Sequence, residues 1–140
     1  MKHAYLRFDE CRVPAWHIIG DPNDKQKAAG GLDRAMAQIG NVRLSLSAQA
    51  VGISMWVLDY LRETVINAPH RTGTPLATKE SVQLRHAEMQ LQVFAARSML
   101  YRVARLVQSE GADATKAEVM MVKIFATEAA GKIVDEAIQL

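Results

Sequence analysis

A single cysteine, Cys11, is all the chain carries, so no internal disulfide can form and nothing argues for secretion. Aromatic residues make up only 6% while Ala is abundant, which favours closely packed helices over a β-sandwich. Charge of one sign is lacking too: 17 Lys and Arg stand against 15 Asp and Glu, a net +2. No Lys/Arg cluster exceeds two residues, so there is no footprint for nucleic acid. The start, Met1 to Arg7, has no apolar core of the kind a signal peptide needs. Long hydrophobic runs are missing as well; the longest, Ala50 to Leu58, is broken by Ser54 and is too short to span a bilayer. These absences predict a soluble, cytoplasmic protein with no membrane span. Its 140 residues amount to one domain's worth of core.

What is present is helical periodicity. Val82, His86, Met89, Val93, Ala96, Leu100, Val103 and Val107 recur at spacings of three and four, the stripe of a helix with one buried face. The predicted helix runs over Thr78–Gln108, with Thr78 as N-cap and Gly111 at the C-terminal turn. A second helix is expected over Leu32–Asn67 on Leu44, Ala48, Val51, Met55, Leu58, Leu61 and Val65, with Gly40 and Gly52 as close-approach points between helices. Ala68-Pro69 ends it, because a proline disfavours helical geometry in the residue before it. The third, over Thr115–Leu140, opens with a capping-box spacing, Thr115 to Glu118, and carries Val119, Val122, Ala126, Ala129 and Ile133. It shows no C-cap and is expected to remain helical to the last residue. Before them, Ala4, Leu6 and Phe8 alternate with Tyr5, Arg7 and Asp9 as a short strand signal, closed by Pro14. Gly20 to Asp24 reads as a turn and Lys25 to Gly31 as a polar loop. The expected fold is all-α: an antiparallel up-down bundle of three long helices, one short of four, with a short N-terminal strand segment.

Chemistry is sparse on this frame. No Glu-x-x-His occurs, so the carboxylate-bridged metal sites of helical bundles lack their ligands. His86 sits on the apolar stripe and reads as a satisfied interior histidine, Cys11 as a buried small hydrophobe, and the methionines as core filler. Gly30-Gly31 has no preceding strand and is too short for a phosphate loop. The arginines, Arg85 among them, read as solvated faces. From the residues alone the chain is a helical interaction or oligomerisation module.

Four colinear segments resemble the acyl-CoA dehydrogenases. They are Phe8 to Ala15 closing at Ile18-Ile19-Gly20; Arg43 with Ala48 to Ile53; Gly73-Thr74-Pro75-Leu76-Ala77 with Val82-Gln83 and Ala87-Glu88-Met89; and Lys123 to Glu128 with Asp135 to Gln139. The resemblance implies a partial chain, residues 1–24 being the exit strand and turn of a missing β-domain and 25–140 the C-terminal helical domain. The parent would be a flavoprotein that oxidises acyl-CoA thioesters at the α,β carbons with FAD and passes electrons to an acceptor flavoprotein. Its helical domain would form the interface of a homo-dimer or homo-tetramer. Residue by residue the carry-over is uneven. Arg43 matches an arginine beside the acyl-CoA pocket, and the carboxylate base that precedes it in some members is Val42 here, so no catalytic base is assigned. Gln139 matches a glutamine near the flavin pyrophosphate. For both residues an ordinary polar position on or between helices is the alternative. The dinucleotide contacts made from a neighbouring subunit fall at Pro69, Thr72 and Glu80, with Arg71 as a substitute cation and the Glu80 carboxylate repelling phosphate. The chain alone is therefore expected to be inactive, and a non-catalytic scaffold derived from the same fold is the alternative function.

Overall fold

The computed structural model describes residues 4–17, 31–69, 73–111 and 113–140, with side chains from residue 38 onward in the first long helix. The chain divides into two compact units, Met1–Ala35 and Met36–Leu140. In the first, residues 4–14 have no regular structure and Ala15–His17 make one 3-10 turn. The expected strand over Ala4 to Phe8 is not formed: among the described residues no ladder offers it a partner, and a lone strand has nothing to satisfy its backbone groups. Cys11 is exposed rather than buried, because no core surrounds this segment. The turn and loop expected over residues 20–30 lie outside the described residues.

Three long helices make up the rest: α1, Gly31–Leu61; α2, Glu80–Glu110; and α3, Lys116–Ile138. The last turn of α1 widens into a π-helical segment, Arg62–Ile66, in which the Asn67 N–H reaches back to the Arg62 carbonyl at 3.3 Å. Pro69 then stops it and bridges antiparallel to Pro75. Thr78 does not cap α2. It closes a 3-10 turn, Leu76–Thr78, and its hydroxyl donates back to the Pro75 carbonyl at 2.8 Å, which leaves Lys79 as N-cap. Gly111 ends α2 at a φ of 89°, where a side chain would be strained, and its N–H bonds the Val107 carbonyl at 3.0 Å. The capping box at Thr115 is also absent: the hydroxyl donates to the Gly111 carbonyl at 2.9 Å instead of to the next turn. α3 ends at Ile138, short of the last residue, with the Gln139 N–H bonded to the Glu136 carbonyl at 3.1 Å.

The buried stripes meet in three clusters. Leu58, Leu61 and Ile66 pack with Val82, Met89, Val93, Ala129 and Ile133, with Ala137 and Leu140 beside them. Ala50 and Val51 pack with Ala96 and Ala126. Val103, Val119 and Val122 pack with Leu44, Leu100 and Val107. So the late part of α1 shares a cluster with the early part of α2 and the late part of α3, and the early part of α1 with the opposite ends. Met89 is core, yet Met120 and Met121 are exposed, since successive residues turn about 100° and these two fall beside the stripe of Val119 and Val122. Gly40 and Gly52 have nothing within 4 Å of where a Cβ would stand, so neither is a close-approach point.

The surface of α1 is unusually apolar. By length and composition Gln38–Ile66 could cross a membrane, a test that the core helix of a soluble protein also passes. Counting consecutive apolar residues misses this, because Ser, Gln and Gly interrupt the run without adding charge.

Candidate functional site

The segment ahead of α2 is fixed before any site residue is reached. Gly73, at a φ of 81°, turns the chain, and Leu76 and Ala77 pack on the first cluster. The Gln83 side chain donates from Nε2 to the Ala77 carbonyl at 2.7 Å and ties the 3-10 turn to the helix that follows. From the other side, Ile133, Ala137 and Leu140 carry the end of α3 into the same cluster. A cavity of about 280 Å³ opens where these ends meet, lined by Lys79, Ser81, Arg85 and Gln139 over an apolar floor that includes Leu76 and Val82.

Its lining side chains bring two cations, with Glu80 and the Arg85 partner Glu136 close by. The N-terminus of α2 has no side-chain cap, so its first N–H groups and the positive end of a 31-residue helix face outward with about half an elementary charge. Lys79 and Arg85 add two cations, Ser81 a hydroxyl and Gln139 an amide, and no acidic side chain is among the lining residues. Arg85 also pairs with Glu136 at 3.6 Å and lines a second groove of about 450 Å³ between α2 and α3 with Glu88, Gln92, Lys132 and Asp135. The two cations beside an uncapped helix start make the first cavity a candidate anion site.

The residues expected from the sequence are distributed unevenly around it. Gln139 lines the cavity. Glu80 is the first residue of α2, exposed, between the lining residues Lys79 and Ser81. Arg71 and Thr72 lie outside the described residues. Arg43 is half-buried on α1, its carbonyl accepting the Ser47 hydroxyl at 2.8 Å. The next residue, Leu44, packs with Val103 and Val119, so Arg43 belongs with the other end of the helices and does not join Gln139. Val42 is 53% exposed and supplies no acid–base group. Among the described residues no group of three His, Cys, Asp or Glu is placed to hold a metal.

Lys79, Ser81 and Arg85 were not singled out by their pattern. Ser81 and Arg85 are four apart and so share a helix face, and Lys79 precedes the first turn. That was the available signal, but an N-cap placed at Thr78 hides it. His86, one residue on, is only partly buried, yet its Nε2 is enclosed without a hydrogen-bond partner, unlike the satisfied histidine its stripe position suggests. Burial lowers its pKa from the ordinary value, and the nearby Arg62 charge adds to the effect.

Comparison with known proteins gives one family. The family described as "Acyl-CoA dehydrogenase, C-terminal domain" matches residues 29–140. The chain is 33% identical over 137 residues to the mitochondrial short-chain specific acyl-CoA dehydrogenase of Rattus norvegicus, covering 98% of this chain and 31% of that one. The Mus musculus counterpart is 32% identical over 137 residues, at 98% and 31%. An acyl-CoA dehydrogenase of Bacillus subtilis is 32% identical over 139 residues, covering 96% of this chain and 33% of its own. The chain thus spans about a third of the length of the curated relatives it matches. No solved structure matches it.

Proposed function

We propose a function from one premise: this chain belongs to the acyl-CoA dehydrogenase family, through its C-terminal domain. On that premise residues 25–140 serve as the helical domain of a flavoprotein that oxidises acyl-CoA thioesters at the α,β carbons. Residues 1–24 serve as the strand and turn that lead out of a β-domain. The three helices are members of an antiparallel up-down four-helix bundle, and the cluster order supports this. The parent works as a homo-dimer or homo-tetramer in the cytoplasm and passes electrons to an acceptor flavoprotein.

The observation that carries the reading is the cavity at the start of α2, which Gln139 lines together with Lys79, Ser81 and Arg85. These residues would hold the pyrophosphate of FAD, together with Arg71 and Thr72. When bound, the flavin supplies the hydride acceptor. Lys79 and Arg85 neutralise phosphate charge, Gln139 donates from its amide, and the helix N-terminus adds N–H donors. Glu80 is the residue at odds with an anion; its charge subtracts from the field of its two cationic neighbours. Arg43 lines the acyl-CoA pocket at the other end of the helices. No residue of this chain takes the α-proton, since Val42 stands where a base would be, so the chain alone turns over no substrate.

The direct test is titration of the purified chain with pyrophosphate, followed by amide chemical shifts. Shifts centred on residues 79–83 are expected, with affinity falling about tenfold in Arg85→Ala, the loss of one hydrogen bond to a charged group. A flat titration overturns the reading. Supplied with acyl-CoA, FAD and an electron-accepting dye, the chain should reduce no dye. A second reading, a scaffold that has shed its flavin contacts, is favoured by Val42 and by Pro69, Thr72 and Glu80 at the contact positions. A flavin absorbance band in the protein purified from its source would count against it.

A further inference from the structure

Arg85 lines two cavities at once. One is the candidate anion site at the start of α2, where it stands with Lys79, Ser81 and Gln139. The other is the groove of about 450 Å³ between α2 and α3, where Glu88, Asp135 and Glu136 set three carboxylates against Arg85 and Lys132. Helix geometry explains the sharing. Arg85 lies four residues after Ser81 and three before Glu88, so one face of α2 runs from the first cavity into the second. On α3, Glu136 lies three residues before Gln139 and joins the same two places.

The guanidinium leans to Glu136. Its Nη1 stands 3.6 Å from Glu136 Oε2, and both side chains are 49% exposed. That separation is longer than a hydrogen bond, and a pair so open to water contributes little. A weak hold is what a residue needs if it is to change partners. A pyrophosphate in the first cavity carries more negative charge than one carboxylate, and its oxygens suit the fork of a guanidinium. The carboxylate left behind is not stranded. Lys132 lies four residues before Glu136 on the same face of α3 and lines the groove with it, so a second cation is within one turn.

We infer that Glu136 is a positioning residue that competes with the bound anion for Arg85. With the cavity empty, Glu136 holds the guanidinium toward the groove; a phosphate group in the cavity draws it across. The inference rests on the anion-site reading above and adds how that site is regulated. Affinity is held below what Lys79 and Arg85 would give together, because Arg85 must first leave its carboxylate. Neutralising Glu136 therefore strengthens anion binding, and anion binding in turn releases Glu136.

The test titrates the full chain with inorganic pyrophosphate at low ionic strength, read by the amide shifts of residues 79–83. Glu136→Gln, at a half-exposed position, should bind about three- to fivefold more tightly than the wild type. In an Arg85→Ala background the same change should alter the affinity by less than ~1.5-fold. Glu136→Asp keeps the charge but draws it back by one methylene, and should show part of the gain. In the wild type the Glu136 carboxyl carbon resonance should move as pyrophosphate is added, since its pair is broken. A gain of full size that survives Arg85→Ala would be plain repulsion across space and overturns the inference. So does Glu136→Gln binding like the wild type, or a Glu136 carboxyl resonance that stays still. Those results, with pyrophosphate still bound, leave the anion site standing. A flat titration in every variant removes the site itself and the inference with it, so the two failures are distinguishable.

Discussion

His86 shows how one side chain can carry a pH dependence without taking part in any chemistry. Its pKa is lowered in the folded chain, first by burial and then by Arg62. The unfolded chain therefore binds the proton more readily, and the stabilising contribution is fully present above the ordinary value of 6.5. It is lost as the pH falls through the folded pKa. Urea midpoints between pH 7.5 and 5 should decline, and His86→Gln should flatten that part of the slope. A wild-type midpoint that is level over the same range refutes the assignment. At the same scale, Ser47 and Ser54 are buried polar residues that cause no such sensitivity. Their hydroxyls donate to the Arg43 and Ala50 carbonyls one turn back, each at 2.8 Å.

Elements were the most legible level of this sequence. The three/four spacing gave three helices within a few residues of where they lie, because long amphipathic stripes leave little alternative. Their ends were not legible. Thr78 and Thr115 have the right side chains for capping, but each hydroxyl finds an earlier carbonyl, and nothing in the local sequence chooses between the two bonds. Lys79 and Arg85 stayed hidden for the same reason, since a site built on a helix start cannot be drawn until that start is known. The two kinds of glycine can be separated experimentally. Gly111→Ala, at a φ of 89°, should cost about 1 kcal/mol or more, whereas Gly52→Ala, in open helix surface, should stabilise by ~0.5–1 kcal/mol. Ile133→Ala empties the middle of the largest cluster, where the side chain is 1% exposed, and should cost about 2–5 kcal/mol. Chemical denaturation reads all three, and a neutral Ile133→Ala would mean the cluster does not form in solution.

Among the described residues of the second unit, the helices meet mainly through apolar side chains. Arg85 to Glu136 joins α2 to α3 at 3.6 Å on a half-exposed surface, where an ion pair contributes little. Hydrogen exchange should follow the packing. Amides of α2 and α3 around Met89, Val93, Ala129 and Ile133 should exchange slowest, and those of residues 4–14 at nearly the rate of a free peptide. Strong protection of Ala4 to Phe8 would reveal a strand partner. The serines of α1 add a consequence of their own. Because each hydroxyl is anchored to the rod that bears it, turning α1 about its long axis breaks none of those bonds. The packing of side chains such as Leu44, Ala50, Val51, Leu58 and Leu61 holds it in place. Grafted onto another scaffold with matching hollows, this rod would arrive with its buried oxygens already satisfied.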